Sequence, residues 1–171
     1  MNEEEFWALV EGTISGLGCN EMAYEVEEQL KVLGPTAAMG FTNRFHEVMD
    51  RLYTWDLLGV AYILRGGCSD DSFEYFRAWV VSLGREATER ALADPEGFGL
   101  GIDLGPGHEF DVDMDCEALL HAGPSAVNAL SGEYPSRANA HPKVPAGEPW
   151  EENDASLRAR FPLLMANRPT R

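Results

Sequence analysis

The chain has 171 residues, 13 Lys and Arg against 29 Asp and Glu, and a formal charge of −16 at pH 7. At 44% hydrophobic it is too apolar for a disordered acidic chain and long enough for one good core. That charge repels phosphate backbones and anionic bilayers, and the longest apolar stretch, Leu57 to Leu64, falls far short of the ~20 residues a spanning helix needs, so neither nucleic acid nor membrane is an expected partner.

The first helix is expected from Asn2, whose side chain can cap the amide of Glu5, with Phe6, Leu9 or Val10, Thr13 or Ile14 and Leu17 on one face. Gly16 and Gly18 end it. Asn20 can cap a second helix with Met22, Val26, Leu30 and Leu33 inward and Glu21, Glu25, Glu27 and Glu28 outward. Gly34-Pro35 stops that helix and starts a third. Phe41, Phe45, Val48, Leu52 and Trp55 then recur at spacings of four and three, one buried seam. Tyr62, Ile63 and Leu64 prolong it, either as one long helix or as two with a kink. Gly66-Gly67 ends this run. Ser69 caps the next helix, with Asp70 and Asp71 in its first turn and Phe73, Phe76, Val80 and Leu83 inward. A short helix from Glu86 to Ala93 stops at Asp94-Pro95.

Eight of the ten prolines lie at or beyond Pro106, so regular structure is expected to thin there. Residues 97–107 read as a glycine-rich loop, Glu109 to Cys116 as an acid–apolar alternation, and Glu117 to His121 as a helical tail. Residues 132–153 read as an extended arm, anchored by Trp150, Phe161, Leu163 and Leu164, with a last short helix over 154–161. The expected fold class is mostly α: residues 1–131 a helical domain of five or six helices, residues 132–171 an irregular Pro-rich C-terminal arm packed on it.

Chemistry-bearing patterns are sparse. The run of Asp111, Asp113 and Asp115 echoes a calcium loop but lacks the glycine at position six and the glutamate at position twelve. His46, His108, His121 and His141 show no zinc spacing, and no nucleophile elbow is present, so no metal, cofactor or catalytic residue is assigned. His46 and Asp50, one turn apart, read as a solvated or rim pair. Three widely spaced cysteines, Cys19, Cys68 and Cys116, fit neither a disulfide framework nor a metal motif, which points to a reducing cytoplasm. The most individual segment is Arg65 to Phe73. There the candidate ligand-binding residues are Ser69, Asp70, Asp71, Arg77 and Trp79, on the reading that the turn draws both aspartates and Arg77 into a polar pocket. The competing reading is a tight interhelix turn with capping charges and Arg77 bridging acids at the edge of the core.

The segments MNEEEFWALVE, YTWDLLGVAYILRGGCSDDSFEYFRAWVVSLGRE, ALADPEG and, more weakly, GEPWEENDASLRARFPLL resemble the DUF4240 family of bacterial proteins. Leu58-Gly59 departs from that pattern, where a bulkier or alanine-rich pair is typical. The resemblance covers nearly the whole chain, implies no substrate or catalytic residue, and marks Gly66 to Asp71, Phe73, Phe76, Arg77 and Trp79 as its defining segment. The resulting expectation is a cytoplasmic acidic binding or regulatory protein, monomer or weak dimer, that engages a protein partner with a basic surface. The alternative is a small-ligand binder or enzyme with its site at the Gly66–Arg77 turn.

Overall fold

The computed structural model describes residues 1–13, 18–102 and 114–167. Among these the order is α1 (Glu3–Gly12), α2 (Cys19–Leu33), α3 (Pro35–Arg51), α4 (Trp55–Arg65), α5 (Asp70–Ser82), α6 (Arg85–Ala93), α7 (Pro95–Leu100), α8 (Glu117–Ser131), α9 (Asp154–Arg160) and α10 (Pro162–Ala166). The mostly helical class holds. The helices outnumber the five or six expected because strong local caps cut long apolar patterns into pieces and because short helices form around prolines.

Asn2 and Glu5 exchange side-chain to backbone hydrogen bonds of 2.8 Å each at the start of α1, a reciprocal cap. The expected continuation through Ile14 and Leu17 lies outside the described residues. The second helix starts at Cys19 with Gly18 in the cap position, two residues earlier than the Asn20 cap expected. Leu33, expected inward, is exposed, because the helix ends there and Gly34 turns the chain at φ 93°.

The apolar seam of α3 buries Phe41, Phe45, Val48 and Leu52. Trp55 is not part of it. The chain leaves helical geometry at Tyr53, and the Thr54 hydroxyl accepts from the Leu57 amide at 3.2 Å, so α4 starts anew at Trp55. Phe73, Phe76 and Val80 of α5 face inward as expected, whereas Leu83 is exposed beyond the helix end. Pro95 and the capping carboxylate of Asp94 (3.0 Å from the Gly97 amide) turn the expected loop at residue 97 into α7. Residues 103–113, including most of that glycine-rich run, His108 and the acid–apolar alternation before Met114, lie outside the described residues.

The helix at Glu117 runs on to Ser131 through Gly123-Pro124, well past the expected end at His121. It is central to the packing, touching α2, α3 and α5. At Gly123 a Cβ would come within 3.0 Å of the Phe41 ring and 3.3 Å of the Thr42 Cα, so glycine is what lets α3 and α8 approach so closely.

From Gly132 the chain runs extended across the end of α3 and the start of α4. Ala146 pairs in parallel with Thr54: the Trp55 amide donates to Ala146 O and the Ala146 amide to Tyr53 O, each 2.9 Å. Trp150 donates from Nε1 to the Trp55 carbonyl at 2.8 Å and meets the Trp55 and Tyr62 rings edge-on. Beyond it Leu157, Phe161, Leu164 and Met165 are buried, and Glu96 Oε1 accepts from the Leu163 and Leu164 amides at 2.8 and 3.0 Å. Leu163, expected as an anchor, points to solvent.

Gly59 lies under this contact. A Cβ there would overlap the Phe161 ring and sit 3.2 Å from Trp150 Nε1. Two variants test the docking. Phe161→Ala should lose about 3–5 kcal/mol in denaturant titration, the usual range for a buried phenylalanine. Gly59→Ala should shift the tryptophan emission to the red and speed proteolysis within residues 133–149. An unchanged Phe161→Ala midpoint would show that the arm contributes nothing to the fold.

Candidate functional site

The Gly66–Arg77 turn was the place to look for a polar pocket. Gly66 ends α4 in left-handed conformation at φ 70°, Gly67 follows at φ 144°, and the Ser69 hydroxyl accepts from the Ser72 amide at 3.2 Å. Asp70 and Asp71 are both exposed in the first turn of α5. Arg77 does not join them. It is 2% exposed and lies in the core, donating to the Met49 carbonyl at 2.7 Å. Its guanidinium lies over the Tyr53 and Phe73 rings at 4.7 and 5.0 Å from their centroids, while Nε has no hydrogen-bond partner.

The reason is the end of α3. The last four carbonyls of a helix have no partner within it, and that end carries the negative pole of the helix dipole. Arg77 serves both needs at Met49. Among the described residues no carboxylate lies within ion-pair range of it, so both expected roles, pocket lining beside the aspartates and bridging acids at the core edge, are corrected. Burial pulls its pKa below the ordinary value, opposed by the charges of Glu74 and Asp50. Trp79, the fifth candidate, lines a different feature, a cleft of about 470 Å³ with Leu83, Glu86, Arg90, Phe98 and Ile102.

Sequence reasoning missed the polar cluster on the other side of Arg77. Asp50 accepts from Arg137 at 2.5 Å and lies 3.1 Å from His141 Nδ1. The His141 ring rests against Tyr53 at 5.1 Å, the same ring that Arg77 covers. His46 is half-buried, as the rim reading has it, and its pKa falls below 6.5 through burial first and then the Arg137 charge, against the opposing pull of Asp50 and Glu74. Farther along, Arg160 pairs with Asp56 at 2.5 Å. The only hint in the sequence was that residues 134–147 carry Arg137, His141 and Lys143 and no acid, within a chain of charge −16.

The cysteines also depart from expectation. Cys19 and Cys116 form a disulfide with their Cα atoms 5.4 Å apart, joining the start of α2 to the start of α8. The odd count concealed one bonded pair and one thiol, Cys68, whose pKa burial pushes up to about 11. Asp115, taken with the failed calcium pattern, pairs bidentately with Arg65, which also donates to Met114 O at 3.2 Å. Among the described residues no group of three or more His, Cys, Asp or Glu is placed to hold a metal, and no helix is long and apolar enough to cross a membrane.

Two measurements separate these roles. Arg77→Met keeps an apolar side chain against the rings but orphans the Met49 carbonyl, which should cost about 1–3 kcal/mol, while Asp70→Asn and Asp71→Asn should each cost no more than about 1 kcal/mol. Equal losses at all three positions would contradict the assignment. For His46 the sign follows from its lowered pKa: the folded chain keeps the ring neutral, whereas the unfolded chain takes up a proton below about pH 6.5. Stability present above pH 6.5 is therefore lost as pH falls, with a slope of at most about 1.4 kcal/mol per unit, and His46→Gln should remove that component.

Three comparisons bear on relationship. No curated protein and no solved structure matches the chain. A family model described as a protein of unknown function (DUF4240) matches residues 1–128, which takes in the capped start of α1, the Gly66–Arg77 turn and α8 as far as Asn128, and stops short of the arm. With that model spanning α1 through most of α8, the chain belongs to the DUF4240 family.

Proposed function

We propose that this protein is a non-enzymatic cytoplasmic binding or regulatory protein, monomeric or weakly dimeric, whose partner is a protein with a basic, extended segment. The observation that carries this reading is the way the family region holds residues 134–150. It takes Arg137 and His141 on Asp50, pairs its backbone at Tyr53–Trp55 with Ala146, and receives Trp150 beside Trp55 and Tyr62. Addition of an extended segment by backbone pairing, with pockets for alternate side chains, is a recurrent mode of peptide recognition. The charge favours basic partners in the same direction. On α2, Tyr24 and Val32 are exposed among Glu21, Glu25 and Glu28, a second acidic–apolar face of the same character. The exposed, separated placement of Asp70 and Asp71 argues against the alternative of an enzyme at the turn.

A small-ligand reading retains one observation in its favour, the cleft lined by Trp79, Phe98, Glu86 and Arg90, whose size suits a small organic molecule. The two readings part in one experiment. A fluorescein-labelled peptide of residues 134–150 is titrated with the full chain and with its Trp150→Ala variant. The variant, its own arm loosened, should bind saturably and at least about ten-fold more tightly than the parent, because the arm competes in cis. Asp50→Asn should remove that gain, and added salt should weaken binding. No saturable binding to either chain, or binding indifferent to Asp50→Asn, overturns the peptide reading and leaves the Trp79 cleft as the better lead.

A further inference from the structure

The bonded pair Cys19–Cys116 belongs to none of the interactions above, and its two residues differ in exposure. Cys116 is fully buried, whereas Cys19 is partly exposed and lines a cleft of about 480 Å³ with Asn20, Glu21, Asp115, Glu117 and His121. Each sulfur also stands at the start of a helix of 15 residues, Cys19 as the first residue of α2 and Cys116 at the cap position of α8. Neither helix start receives a side-chain cap in the bonded state. A thiolate at either place would sit at the positive pole of its helix.

We infer that Cys19–Cys116 is a thiol–disulfide exchange site that reacts with dithiols through the Cys19 sulfur. A thiolate of the dithiol attacks Cys19 Sγ from the cleft. The Cys19–Cys116 bond breaks, a mixed disulfide forms at Cys19, and Cys116 leaves as a thiolate at the start of α8. The second thiol of the reductant, as its thiolate, then attacks its own sulfur in the mixed disulfide and releases Cys19. The dithiol is oxidised to its disulfide, the protein pair is reduced by two electrons, and the two thiolates take up the two protons the reductant gave up. Attack at Cys116 is closed by burial. Cys68 takes no part, since its half-buried thiol holds its proton.

The test uses the full chain in a Cys68→Ser background, without denaturant. Dithiothreitol at millimolar concentration, followed by alkylation and mass measurement, should reduce the pair within minutes while helical circular dichroism is retained. With oxidised glutathione, the Cys116→Ser chain should take one glutathione at Cys19, and the Cys19→Ser chain should take none at Cys116 until guanidinium is added. If the chain purifies reduced, oxidised glutathione should form the bond. Resistance of the bond to dithiothreitol until the fold is lost, glutathione on Cys116 in the native Cys19→Ser chain, or failure of the bond to form would each overturn the inference. A variant that does not fold is replaced by partial dithiothreitol reduction of the Cys68→Ser chain in excess glutathione, where the trapped adduct must map to Cys19.

Discussion

A buried guanidinium set against the end of a helix organises this molecule. The third helix stops at Arg51, and its last carbonyls must find donors elsewhere. Arg77 reaches across from α5 to supply one at Met49, its guanidinium lying over the adjoining Tyr53 and Phe73 rings. A buried cation without a carboxylate is costly. Here the helix end, the ring faces and the carbonyl together offset much of that cost, and they do so only if α3 ends where it does. The break at Tyr53 then leaves backbone groups free to pair with Ala146, and it presents Asp50 toward Arg137 and His141. α5, the start of α4 and the arm thus all meet at the end of α3.

Much of the helical core was legible because it rests on local rules. The Asn2 and Ser69 caps, the Gly34-Pro35 boundary and the Phe41–Leu52 seam each need only neighbours within a turn or two. What escaped was non-local. Arg77 sits at the spacing that would place it with Asp70 and Glu74 on a surface stripe, yet it turns inward to serve a carbonyl 28 residues away. Trp55 completes the seam's arithmetic but belongs to the next helix, because one threonine hydroxyl at Thr54 caps a new start. The helical tail expected to end at His121 runs on through Gly123-Pro124, where a glycine is what close packing on α3 requires and a proline removes one amide without ending α8. Pairing of cysteines 97 residues apart has no local signature at all.

Gly59 links the sequence comparison to the structure. The resemblance singled out Leu58-Gly59 as a departure from the usual pattern, and this glycine lies beneath Phe161 and Trp150. The missing Cβ makes room for aromatic side chains from beyond residue 128, where the family match ends. Gly59, inside the matched region, thus faces side chains that come from outside it. The acid-free stretch at 134–147 follows the same logic, because it meets a carboxylate of α3 rather than solvent.

The disulfide bears on the compartment as well as on the fold. A crosslink that closes a loop of roughly 100 residues is worth about 4–5 kcal/mol by the chain-entropy account, a large share of the stability of a domain this size. The cysteine count alone suggested a reducing environment, where such a bond persists only if it resists reduction or is remade. As an exchange site the same pair is both a crosslink and a redox group. The oxidised form then ties the start of α2 to α8, and the reduced form gives each helix start a thiol that can serve as its cap. Because α8 also packs on α3 and α5, Cys116 begins a helix that touches both elements holding Arg77 in place.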